Sequence, residues 1–199
     1  MKLILIICLC LFTTQVYPMS KVATEELALR QIADRLEGNG QRTWQQAVIR
    51  TREYVHKTMK SKQGEDPYAL LSIYERLKTG VGWCNHQADA FMLLISYMGI
   101  TSRLVYLMDG EVSPHTIAEI YDGSRWVIVD VGNNLDLRTK DGLMATRLDI
   151  SKDFTILTEN ERVKELGYDK DYLKMYTNEA QIIKYVKGDR WQLGERRRF

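Results

Sequence analysis

Apolar residues recur at helical spacing through the first hundred positions and then switch to strand-like alternation. Leu29, Ile32, Ala33 and Leu36 make one stripe of a helix over about residues 24–37, with Gly38 as its stop. A second helix opens on the capping box Thr43…Gln46 and runs to about residue 60, carrying Trp44, Val48, Val55 and Met59 on one side. Residues 60–65 are polar and read as a loop. Asp66-Pro67 then suits the start of a third helix, Asp as N-cap and Pro at the first helical position, closed by Thr79-Gly80. A fourth begins near Trp83 or Cys84 and ends at Gly99. Its positions Cys84, Ala88, Phe91, Ile95 and Met98 share one buried face. Residues 101–108, 115–121 and 126–131 read as strands, the last two joined by the turn Asp122-Gly123-Ser124-Arg125. Gly132-Asn133-Asn134 is a loop, 154–157 a short strand, and Thr158…Glu161 a further capping box whose helix stops at Gly167. The last thirty residues look helical. Helices first and strands after imply an α+β fold, N-terminal helices packed on a small antiparallel sheet with a helical C-terminal extension.

Composition narrows the class. The chain has 199 residues, 45% hydrophobic and 27% charged, with a net charge of +2, which suits one well-packed globular domain. No basic stripe with interleaved aromatics is present, so no nucleic-acid partner is expected; Arg196-Arg197-Arg198 reads as a solvated tail. Residues 3–12 are an unbroken apolar run behind Met1-Lys2, too short to span a bilayer with ease and suited to a signal peptide over about residues 1–20. The expectation is an exported protein, periplasmic or secreted, with a single domain over 21–199 and no stable membrane span; an uncleaved N-terminal anchor is the alternative. Cys8 and Cys10 would leave with the signal. Cys84 would then be the lone thiol of the mature chain, unable to form an internal disulfide. One cysteine without a CxxC pair also lacks the ligands of a structural zinc site, and neither metal nor cofactor is implied.

A lone cysteine is a buried, inert side chain or a nucleophile. Nucleophilic thiol chemistry needs a thiolate, a base and a group that orients the base. A helix N-terminus favours the thiolate, and Cys84 sits at one. Three histidines compete for the base. His56, between Val55 and Lys57, reads as a surface residue. His86 is two residues from Cys84 and points roughly 200° away from it on a helix, so it reads as an edge or packing residue. His115 starts a strand. If Tyr121 pairs with Trp126, Ile117 faces Asp130 and His115 is the diagonal neighbour of Asp130 on the same face. Asp130 would orient the base, or simply cap its strand.

These segments resemble the transglutaminase-like superfamily. Gly82-Trp83-Cys84-Asn85-His86-Gln87-Ala88 followed by Gly99-Ile100-Thr101-Ser102-Arg103 is similar to its nucleophile segment, the stretch from His115 to its histidine strand, and Trp126-Val-Ile-Val-Asp130 to its aspartate strand. The resemblance covers about residues 65–135; the aromatic residue common two places after the histidine is Ile117 here. It implies a papain-like core with Cys84 as nucleophile, His115 as base and Asp130 as orienter. It also implies acyl chemistry on a peptide, protein or other amide-bearing substrate through a thioester. The Cys84 backbone N–H would hold the oxyanion, with Trp83, Asn85 or Gln63 as second donor. Hydrolysis is the first expectation; a crosslinking acyl transferase and a catalytically silent binding module are the alternatives. The acyl substrate, the oligomeric state and the role of the last sixty residues stay open.

Overall fold

The computed structural model describes residues 20–38, 42–60, 70–178 and 180–187. Four helices come first: α1 (Lys21–Glu37), α2 (Trp44–Thr58), α3 (Ile73–Thr79) and α4 (Cys84–Tyr97). Each start has a local cause. Ser20 accepts a hydrogen bond from the Ala23 N–H ahead of α1, and Thr43 with Gln46 forms the reciprocal box of α2. Asp66-Pro67, expected to open α3, lies outside the described residues. The observed N-cap of α3 is Ser72, whose capping box with Glu75 holds both orphan N–H groups.

Strands β1 (Ser102–Asp109), β2 (Val112–Tyr121) and β3 (Trp126–Val129) follow. The β2–β3 hairpin pairs Tyr121 with Trp126 and Ala118 with Val129, the register the alternation predicts. Its turn is pinned by Asp122, whose Oδ1 accepts from the backbone N–H groups of Ser124 and Arg125, both at 2.9 Å. Gly123 supplies the φ of +104° the turn requires.

Four short helices come next: α5 (Arg147–Lys152), α6 (Thr155–Thr158), α7 (Glu161–Leu166) and α8 (Lys170–Lys174). The strand expected at 154–157 is therefore helix α6, whose start is held by Asp153 Oδ1 on Thr155 N–H and whose Leu157 is fully buried. Asn160, not Thr158, caps α7 by accepting from Val163 N–H at 3.2 Å. The C-terminal extension is helical only as far as α8. It ends in strand β4 (Ala180–Val186), antiparallel to β1, giving the sheet order β3-β2-β1-β4. Ile182, Ile183, Tyr185 and Val186 are strand-favouring residues, and pairing here satisfies the backbone groups of β1 that would otherwise form a free edge.

The sheet is covered on both faces. Ala88, Phe91 and Ile95 of α4 pack with Leu104, Ala118, Ile120, Val127 and Val129, a core to which α1 and α2 also contribute. Ile117 and Ile128 point the other way, into a second core with Leu135, Ile150, Leu157, Val163, Leu173 and Tyr176. The molecule is thus an α+β fold of three layers, helices against one face of the sheet and the 135–178 segment against the other. No helix among the described residues is long and apolar enough to cross a membrane.

Candidate active site

Cys84 is the first residue of α4 and is half-buried. Its N-cap, Trp83, makes no side-chain cap hydrogen bond, and an indole has no oxygen to offer the first-turn N–H groups. The positive end of α4 is thereby turned toward the sulfur. His86 does not face the thiol; its Nδ1 accepts from the Trp83 backbone N–H at 3.2 Å and so braces the helix start. Gln87 anchors the same turn, its side-chain amide donating to the Met59 carbonyl at the end of α2 at 2.6 Å.

His115 lies on β2, and Asp130 directly follows β3, the strand paired with it. His115 is 4% exposed and Asp130 is fully buried, with His115 Nε2 2.9 Å from Asp130 Oδ2. With Nε2 on Asp130, the imidazole keeps Nδ1 for another partner, and the Cys84 thiol is the neighbour whose electrostatics couple to it. Asp130 divides its work between its oxygens. Oδ1 accepts the Asn133 backbone N–H at 2.9 Å and fixes the tight turn that returns the chain from Asp130 to its bridge partner Leu135. Oδ2 faces His115 and also accepts from the Asn133 side-chain amide at 3.1 Å and from the Tyr176 hydroxyl. Capping the strand end and orienting the histidine are therefore compatible readings of this one carboxylate.

The 131–135 turn forms a wall of the site. A Cβ built on Gly132 would lie 3.0 Å from His115 Cε1, 3.3 Å from Cys84 Cβ and 3.4 Å from Gln87 Oε1. Close approach favours glycine there, because a methyl group would press on Cys84 Cβ and on the imidazole together. The turn is gripped from two directions. From α2, Arg52 donates to Asn134 Oδ1 at 2.9 Å and to the Leu135 carbonyl at 3.0 Å, while His56 Nδ1 is hydrogen-bonded to the Val131 carbonyl at 3.1 Å. His56 is thus a half-buried brace and not the plain surface residue its neighbours in sequence suggest. From the C-terminal segment, Tyr168 donates to Asn133 Oδ1 at 2.7 Å, and Arg162 lies 3.4 Å from the Asn133 carbonyl.

The charges follow from this packing. Burial pushes the Cys84 thiol up, but the hydrogen bond and charge of His115 and the hydrogen bonds of Thr116 outweigh it, leaving the thiol below its usual range. Burial disfavours a charged His115 too, yet the charge and hydrogen bond of Asp130, then those of Cys84, raise its pKa from 6.5 to about 10. Asp130 pays desolvation as well; the charge and hydrogen bond of His115, with the Tyr176 and Asn133 hydrogen bonds, hold it below the normal carboxylate range. The three directions all favour the charged forms, thiolate, imidazolium and carboxylate in a row. Such a row can attack a carbonyl and hand a proton to a leaving amine.

Of the donors suggested for an oxyanion, Trp83 and Asn85 flank the thiol, and Gln63 lies outside the described residues. Asn85 Oδ1 is buried and finds no hydrogen-bond partner among the described residues. Sequence reasoning missed Gly132, Asn133, Tyr168 and Tyr176. Asn133 carried a weak signal, three residues after Asp130 in a turn; Tyr176 carried none. Among the described residues there is no cluster of His, Cys, Asp and Glu able to hold a metal ion.

The model of one protein family, described as the transglutaminase-like superfamily, matches residues 30–131, a span that runs from α1 to just past Asp130. The chain belongs to the transglutaminase-like superfamily. That superfamily covers cysteine peptidases and acyltransferases acting on peptide or protein substrates. Two solved structures are similar in fold. One, from Cytophaga hutchinsonii, is described as a "putative cysteine protease": 18% identity, TM-score 0.44, covering 60% of this chain and 40% of that one. The other is described as a TGase, at 12% identity and a TM-score of 0.47, covering 68% of this chain and 37% of that one. This chain therefore spans well under half the length of either. No curated protein matches the sequence.

Proposed function

We propose that this protein is a cysteine hydrolase that cleaves an amide or peptide bond through a thioester, with Cys84 as nucleophile, His115 as general acid and base, and Asp130 as the group that orients His115. One observation carries the reading: a buried His115, 2.9 Å from Asp130 through Nε2, lies beside the half-buried thiol of Cys84 at a helix start. Cys84 Sγ attacks the carbonyl carbon, and the oxygen becomes an oxyanion held by the Cys84 backbone N–H and a second donor from the Trp83, Asn85 and Gln63 set. The C–N bond breaks as His115 passes its proton to the departing amine. Water then attacks the thioester, giving a proton to His115; the C–S bond breaks, a carboxylic acid leaves and the thiolate returns.

Hydrolysis is preferred to transfer because capture by an amine needs a site that excludes water, and Cys84 is only half-buried. The site of action is proposed to lie outside the cytoplasm. Support for this is the apolar run at residues 3–12 behind Lys2, read as a signal peptide over about residues 1–20 that leaves one domain from 21 onward. The test is mass spectrometry of a peptide mixture after incubation with the wild-type protein and with Cys84→Ala. Cleavage with water added, absent from the variant, is the expected result. A new isopeptide bond would assign transfer instead, and identical mixtures would leave a binding module.

A further inference from the structure

The segment that matches the family ends at Val131, one residue past Asp130. Three groups that hold Asp130, directly or at one remove, lie beyond it: Asn133, Tyr168 and Tyr176. Tyr176 follows α8, is fully buried, and directs its hydroxyl onto Asp130 Oδ2, the same oxygen that accepts from His115. Its ring lies against the imidazole, the centroids 6.4 Å apart. Asn133 Nδ2 is 3.1 Å from Oδ2 and 3.5 Å from the Tyr176 oxygen, and Tyr168 fixes Asn133 through its Oδ1. Three donors therefore converge on one carboxylate oxygen, in a region closed to water.

From this convergence we infer that Tyr176 is a positioning residue that sets the proton affinity of His115: by donating to Asp130 Oδ2 it draws off part of the negative charge His115 feels. The inference rests on the triad reading given above. A carboxylate with no other donors would concentrate its charge on the imidazolium and hold the proton too tightly for release to a leaving amine. Sharing Oδ2 with a neutral hydroxyl moderates that pull while leaving the carboxylate ionised. Burial, followed by the negative charge of Asp130, keeps the Tyr176 hydroxyl protonated, so it remains a donor. The other charged or titratable groups facing the pair are Cys84 of α4, Arg52 of α2, Arg162 of α7, and Tyr168 and Tyr172 around α8, with His56 reaching it through the Val131 carbonyl. Tyr176→Phe leaves each of these side chains chemically in place.

The experiment is a pH titration of the histidine ring nitrogens by NMR in protein labelled with ¹⁵N-histidine, the His115 signals being assigned by their loss in His115→Ala. In Tyr176→Phe the His115 midpoint should rise by about half a pH unit or more, because a donor that competed for Asp130 is gone. A fluorotyrosine at position 176, a stronger donor, should move the midpoint down, and it decides the matter alone if the Phe variant does not fold. A midpoint that is unchanged, or that falls in Tyr176→Phe, overturns the inference, since a merely structural tyrosine has no signed effect of donor strength. Iodoacetamide labelling of wild-type Cys84 at neutral pH runs alongside. Sluggish labelling defeats the triad reading itself, whereas rapid labelling with an unmoved midpoint defeats only the role of Tyr176.

Discussion

At the scale of single residues, the site depends on side chains that are absent as much as on those present. Gly132 has no Cβ, and adding one would bring it to 3.0 Å from His115 and 3.3 Å from Cys84 Cβ. Both neighbours are firmly held, His115 by Asp130 and Cys84 by its helix, so neither can yield cheaply. Gly132→Ala is expected to leave the protein folded and to slow Cys84 alkylation, by up to about 100-fold if the thiol and imidazole separate by an ångström. Full wild-type reactivity in this variant would show that the turn is not a wall of the site. For Cys84, rapid reaction with iodoacetamide at neutral pH is expected, faster than a model thiol, because its pKa is lowered chiefly by His115. His115→Ala should slow the reaction; an unchanged rate would remove His115 as the partner of the thiol.

Elements matter here through what they grip. Helix α2 looks like a packing helix in sequence, and its apolar stripe does pack. Its polar side nevertheless reaches the active-site turn through Arg52 and His56. Arg52 is 5% exposed, and its loss would leave the carbonyl of buried Leu135 without its donor and release the half-buried Asn134 side chain. Arg52→Ala should cost about 1–3 kcal/mol in urea unfolding, the usual penalty for unsatisfied buried polar groups, and should also slow Cys84 alkylation by loosening the turn. A variant as stable and as reactive as wild type would show that the C-terminal contacts alone hold the turn. The elements themselves were readable in uneven measure. Helix α4 and the β2–β3 hairpin follow from local rules, a stripe of every third or fourth residue and an Asp-Gly turn. Strand β4 reads as helix in the sequence, because its seven residues at a sheet edge, five of them exposed and the two at its ends half-buried, show no clean alternation between buried and open faces.

For the whole molecule, the buried charges tie stability to pH in opposite senses. His115 has a folded pKa raised to about 10, so its contribution is fully present below its unfolded value of about 6.5 and is lost as pH rises from there through about 10. Asp130 has a depressed folded pKa, so its contribution is present above its unfolded value of about 3.9 and is lost as pH falls through the lower folded value. Urea midpoints measured across pH should therefore fall on both sides of a plateau. In Asp130→Asn the alkaline decline between about pH 6.5 and 10 should shrink, since the main group raising His115 is gone; an undiminished decline would mean other groups produce it.

Local rules in the sequence settled what helix α4 and the β2–β3 hairpin are and which way their side chains point. Cys84 falls at a helix start because an apolar stripe begins there, and His115 and Asp130 share a face because side chains alternate and the hairpin turn fixes the register. Tertiary structure alone decided what closes around them. In the second core, a segment about forty residues long folds onto the far face of the sheet and carries Tyr176 back onto Asp130, 46 positions away in the chain. No periodicity can announce such a contact. The pattern of apolar positions says that a face must be covered, whereas the identity of the covering residues depends on how the chain packs in three dimensions.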